Sequence, residues 1–114
     1  MKIETSTFSV NYFDEQTVVL QGVMRLVSPM EYMSVFDELY RNLDLTAQYT
    51  IDLSKLEYLN SSGITALSRI VLYARDNSKK LKFICGNTIA WQRKTMNGLL
   101  RLWDELQVDW QQNG

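Results

Sequence analysis

Ile51-Asp52-Leu53-Ser54-Lys55-Leu56-Glu57-Tyr58-Leu59-Asn60-Ser61-Ser62-Gly63-Ile64 is the stretch whose reading decides the fold. It reads as the end of a buried strand, a loop, and the first turn of a helix. Asn60, Ser61, Ser62 and Gly63 are small and polar, and they stand where an apolar strand gives way to an apolar helical stripe. A hydroxyl there is exposed at a helix N-terminus, beside backbone N–H groups and the positive end of the helix dipole. Such a place suits a phosphate.

Outward from this stretch, strand and helix patterns alternate. Gln48 to Leu53 is short and fairly apolar, as a central strand covered on both faces would be. Downstream, Ile64, Leu67, Ile70, Val71 and Ala74 keep the spacing of a buried helix face, and Asn77-Ser78 ends that helix. Lys80 to Gly86 is a strand closed by glycine. Thr88 is placed to cap a third helix through Trp91, Gln92, Arg93, Lys94 and Met96, and Asn97-Gly98 is a strong stop signal. Leu99 to Leu106 reads equally as a short helix or an irregular lead into a last strand near Gln107-Val108.

Upstream, Phe8, Val10 and Tyr12 alternate with Ser9, Asn11 and Phe13, and Thr17 to Gly22 is rich in β-branched residues, which predicts a hairpin. Ser28-Pro29 opens a helix with a cap and a proline at its first position. Met30, Met33, Val35 or Phe36, Leu39, Tyr40 and Leu43 then recur at helical spacing. Two methionines on a helix can also make a soft binding surface, but their shared stripe with Phe36 and Leu39 favours core packing. The expected order is β-β-α-β-α-β-α-β: an α/β domain, a mixed four- to five-stranded sheet with helices packed on it. One domain spans residues 1–114, with 111–114 as a frayed tail.

Composition removes several functions. The 114 residues include no histidine and one cysteine, which excludes Ser-His and Cys-His nucleophile pairs, Cys₄ zinc sites and internal disulfides. With 12 basic and 13 acidic residues there is no electrostatic footprint for nucleic acid. Arg93-Lys94 beside Trp91 reads as a solvated helix face rather than a base-stacking site. Cys85 reads as a small buried hydrophobe in a strand. The apolar runs fall far short of the ~20 residues a spanning helix needs, and Met1 to Ser6 lacks the apolar core of a signal peptide, so a cytoplasmic protein with no membrane role is expected.

The residues Asp52-Leu53-Ser54, Leu56, Tyr58-Leu59 and Asn60-Ser61-Ser62-Gly63 resemble the signature of STAS domains, the sulphate-transporter and anti-sigma-factor-antagonist fold. In the small bacterial members a strand ending Asp-Leu-Ser leads to Asp-Ser-Ser-Gly or Asp-Ser-Thr-Gly, and the serine after the second aspartate is phosphorylated. The chain departs from that pattern at Asn60. Met96-Asn97-Gly98-Leu99 resembles the family's helix ending in Ser-Gly-Leu. The resemblance implies a STAS-like fold over most of the chain, with Ser61 as phosphoacceptor and Ser62 second to it.

It further implies a non-catalytic anti-sigma-factor antagonist in a bacterial partner-switching system. Its partners would be a serine-kinase anti-sigma factor and a protein phosphatase, with no cofactor and no metal. Asn60, Ser61, Ser62, Gly63 and Thr65 would form the partner-binding loop, and Asp52 and Ser54 would support it. Asp52 and Asp44 read as structural carboxylates rather than an acid pair. Two alternatives stand beside this reading: a STAS protein controlling a non-sigma effector such as a cyclase, and a small-ligand or nucleotide-binding domain using the same loop. An N-cap alone also accounts for Asn60 and the serines, and a capping serine can still be phosphorylated. Exposed aromatics such as Trp103 and Trp110 permit a monomer or a weak dimer.

Overall fold

The computed structural model describes residues 1–112. The chain runs β1 (Lys2–Glu4), β2 (Phe8–Asp14), β3 (Thr17–Met24), α1 (Pro29–Val35), α2 (Asp37–Leu45), β4 (Gln48–Leu59), α3 (Ser61–Asp76), β5 (Lys80–Gly86), α4 (Ala90–Leu102) and β6 (Gln107–Gln111). One six-stranded mixed sheet results, with strand order equal to chain order. The β1–β2 and β2–β3 pairs are antiparallel, and β3–β4, β4–β5 and β5–β6 are parallel. The strand count exceeds the expected four to five because Lys2–Glu4 adds an edge strand too short and polar to signal itself. At the other end Gln111 pairs with Gly86 in β6 instead of fraying, Gln112 follows it, and residues 113 and 114 lie outside the described residues.

Each parallel connection steps to the next strand in the same direction. Right-handed crossovers therefore bring all the helices to one face of the sheet. Alternate burial along β4 agrees: Tyr49, Ile51 and Leu53 are buried, whereas Thr50, Asp52 and Ser54 are half-buried. The expectation of a central strand covered on both faces is corrected by this sequential order, which leaves the second face without helices. Val10, Val18, Leu20, Ile51, Leu53 and Phe83 meet Leu39, Leu43, Leu67, Ile70, Val71 and Ala74 in the core, all fully buried.

Four local expectations are corrected. The first helix breaks at Phe36 (φ −95°, ψ 11°), so α1 and α2 are separate short helices. The break turns Tyr32 and Phe36 inward and leaves Met30 and Met33 77% and 45% exposed, so the methionines are not core. The strand β4 does not stop at Leu53 but runs twelve residues to Leu59, straight into α3. Ile89, not Thr88, stands at the N-cap of α4.

The fourth concerns Asn97-Gly98, which does not stop α4. Burial of Met96 and Leu99 on the turns either side of Gly98 holds the helix through to Leu102, overriding the local signal. Among the interior glycines Gly22 needs its conformation: its φ is +95°, and a Cβ would run into the Thr7 carbonyl and lie 3.0 Å from Phe8 Cα.

Two stability outcomes follow. Leu67 is fully buried, and Leu67→Ala should lower stability by about 2–5 kcal/mol in denaturant unfolding; a loss under about 0.5 kcal/mol would place that helix face outside the core. A Cβ on Gly98 would meet no atom within 4 Å, so Gly98→Ala should stabilise by about 0.5–1 kcal/mol through helix propensity alone.

Candidate functional site

The turn between β4 and α3 is built on one side chain. Asn60 is the N-cap of α3, with extended backbone (φ −77°, ψ 175°). Its Oδ1 accepts from Gly63 N–H at 3.0 Å and from Tyr32 Oη–H at 2.7 Å. Its Nδ2 donates to the Leu26 carbonyl at 2.8 Å, and its backbone N–H donates to the Met24 carbonyl at 3.3 Å. Tyr32 Oη also accepts from Leu26 N–H at 3.3 Å. One carboxamide thus ties the chain leaving β3, the helix α1 and the start of α3.

This arrangement explains the amide at position 60. A carboxylate could keep the two bonds made by Oδ1. Its second oxygen would face the Leu26 carbonyl at hydrogen-bond distance with no proton between them.

Gly63 is buried beneath the turn. A Cβ there would collide with the Leu59 side chain and lie 2.9 Å from Tyr32 Cζ, so the glycine lets α1 and α3 approach. It is not a surface residue for a partner. Ser61 and Thr65 are exposed, four residues apart on one side of α3, and Ser62 is half-exposed with its Oγ donating to the Val27 carbonyl at 3.3 Å. The Gly63 amide is taken by Asn60 Oδ1 and the Ile64 amide by the Asn60 carbonyl. The amides of Ser61 and Ser62 have no intrahelical partner, as at any helix start. Sixteen residues of helix stand behind them.

Asp52 and Ser54 are placed elsewhere. Asp52 Oδ1 accepts from Ser54 N–H at 2.9 Å and Ser54 Oγ–H at 2.7 Å, at a register shift between β3 and β4. Seven residues of extended strand, roughly 20–25 Å, separate Asp52 from Asn60. The expected support of the turn by Asp52 is corrected: β4 continues where a loop was expected, and Asn60 with Tyr32 does that work. Asp44 is also remote from it, accepting the Tyr73 hydroxyl. Cys85 is fully buried, and burial, with Asp52 and Asp109 adding, pushes its thiol up to about 12, far from a usable thiolate.

Two apolar surfaces border Ser61; the sequence pattern favoured core packing for the methionines of the first and carried no sign of the second. On the α1 side, Val27 (84% exposed), Met30 and Met33 stand in solvent next to the Ser62–Val27 contact. On the α4 side lies an open groove lined by Ile64, Ser68, Trp91, Lys94, Gly98 and Leu102, among others. The break at Phe36 decided the first, and the continuation of α4 past Gly98 decided the second.

No family model matches this sequence, and no curated protein matches it. Among solved structures, the fold is similar to a chain in the crystal structure of the diguanylate cyclase SiaD in complex with its activator SiaC from Pseudomonas aeruginosa. The TM-score is 0.72 at 19% identity, over 99% of each chain. The matched chain is the activator SiaC, and at that identity the likeness is one of fold alone.

The geometry at position 60 gives a direct test. Asn60→Asp should lower stability by about 1–3 kcal/mol at neutral pH, because a half-buried acceptor then faces an acceptor. Acidification should narrow the gap to wild type, since a protonated acid again donates to the Leu26 carbonyl. A variant as stable as wild type at neutral pH would show that the Leu26 contact is not holding the turn.

Proposed function

We propose that this chain is a non-catalytic STAS-like binding module that engages a protein effector through the surface around Ser61 and lets it go when Ser61 is phosphorylated. The carrying observation is the position of Ser61. It is exposed at the start of a sixteen-residue helix, between exposed Val27, Met30 and Met33 on one side and an apolar groove on the other. Flexible, polarisable methionines on a surface suit a protein contact. The absence of histidine and the buried, high-pKa thiol of Cys85 support a role without turnover.

A non-sigma effector, such as a cyclase, is the favoured partner class. The similarly folded SiaC is described as the activator of a diguanylate cyclase, and the likeness in fold runs the whole length of both chains. A serine kinase and a phosphatase would set the state of Ser61. The Asp52 to Gly63 resemblance favours a second reading, an anti-sigma-factor antagonist using the same serine and the same release. No helix among the described residues is long and apolar enough to cross a membrane, and a cytoplasmic site of action fits either reading.

The physics of release follows from the helix start. A phosphate on Ser61 lies near free amides and the positive end of the dipole, so it should leave the fold intact. Its charge of about −1.5 to −2 must be desolvated in any complex that covers Ser61.

Ser61→Asp should therefore unfold within about 1 kcal/mol of wild type yet bind the effector at least about tenfold more weakly. Ser61→Ala should bind as wild type does and resist kinase-driven release. The measurement is affinity capture from the native cell with the three forms, followed by titration of the identified partner. Equal affinity for all three would reduce Ser61 to the first residue of a capped helix.

A further inference from the structure

The groove between α3 and α4 is a built trough. Its length from Ala90 to Leu102 is about 18 Å of helix, and its volume is about 530 Å³. Ile64 and Ser68 form one wall, and Trp91, Thr95, Gly98 and Leu102 form the other. The Trp91 wall is fixed: its Nε1–H donates to the Leu56 carbonyl at 3.1 Å. Next to it the buried Gln92 donates to the carbonyls of Leu53 and Leu56 at 2.7 and 3.1 Å and accepts from Gly86 N–H at 2.8 Å. Gly98 makes a notch in the middle, where a Cβ would meet nothing within 4 Å.

The rim is basic. Lys94 lines the groove, and Arg101, seven residues on, rises from the same side of α4. Neither is in an ion pair among the described residues. No acidic residue lines the groove, and α4 itself carries Arg93, Lys94 and Arg101 with no Asp or Glu. Arg93 is turned away, stacked 4.2 Å over Trp110. Ser61 and Ser68, seven residues apart, share a face of α3, so Ser61 stands at the groove's mouth one turn before Ile64.

From this geometry we infer that the groove seats an acidic amphipathic helix of the effector, with one apolar side chain in the Gly98 notch and carboxylates against Lys94 and Arg101. The open trough accepts apolar anchors at i, i+3 or i+4 and i+7, the spacing of helix-in-groove recognition. The unpaired lysine and arginine select acidic flanks by charge complementarity. The inference rests on the regulatory reading of Ser61 and gives its release a cause: a phosphate at the mouth repels the same carboxylates that the rim attracts.

Two synthetic helical peptides of about four turns test this, each with leucines at i, i+3, i+7 and i+11, one flanked by glutamates and one by lysines. Both are titrated against isotope-labelled protein by NMR. The glutamate peptide should shift the amides of Ile64, Ser68, Trp91 and Gly98 and bind at least about tenfold tighter than the lysine peptide. Gly98→Leu fills the notch from a position with open space around it, so the fold should persist, as unfolding checks. It should weaken the glutamate peptide at least about tenfold. Lys94→Glu with Arg101→Glu should reverse the peptide preference.

No binding, equal binding of the two peptides, or shifts centred on Met30 and Met33 would overturn the assignment. So would shifts of the groove residues with protein concentration alone, which would make the occupant a second copy. With the captured native effector, Ser61→Asp releasing it while Gly98→Leu leaves it bound would remove the groove and leave the switch standing. The reverse would uphold the groove and overturn the switch.

Discussion

The carboxamide of Asn60 is the interaction on which the rest of the candidate surface depends. Its oxygen holds the Gly63 amide and the Tyr32 hydroxyl, and its nitrogen holds the Leu26 carbonyl. Removing it would release three segments together: the exit of β3, the packing of α1 and the first turn of α3. Because both ends of the amide are used, an acid is not an equivalent substitute here. The departure from the STAS-like pattern at this position is therefore a structural choice of this chain. It also keeps a negative charge away from Ser61, so a phosphate there would be the first negative charge on the turn.

The long strand β4 is the second constraint. It pairs with β5 only as far as Asp52, so its last residues have β3 on one edge and no strand on the other. Exposed strand carbonyls would invite another chain or go unsatisfied. Gln92 and Trp91 on α4 take those carbonyls at Leu53 and Leu56. The same bonds hold α4 at the distance from α3 that leaves a groove between them, so strand-edge chemistry sets the shape of a candidate docking site.

Exposed apolar residues near Ser61 keep much of their surface in solvent, 84% for Val27, 77% for Met30 and 45% for Met33. Val27, Met30 and Met33 lie outside the core that Tyr32 and Phe36 enter. Gly98 weakens its helix and opens a notch into which nothing packs. Departures from local stability of this kind gather where a chain has a partner to meet. Here they border one exposed serine on both sides.

The sequence by itself determined the element types that long periodic patterns encode: the hairpin alternation through Phe8, Val10 and Tyr12, the buried stripe of α3, and the small polar turn at Asn60 to Gly63. These depend on local chain geometry, which fixes which side chains share a face. Tertiary structure alone decided where helices break and where they continue, because that depends on what a turn can bury. Phe36 interrupts a helix whose stripe looked continuous and sends Met30 and Met33 outward, while Met96 and Leu99 carry α4 through a glycine that should have ended it. It also decided that β4 runs on to Leu59, that Gln92 is a buried bracket, and that Asp52 is remote from the turn. Each of those rests on contacts between residues far apart in the chain, which no local pattern records.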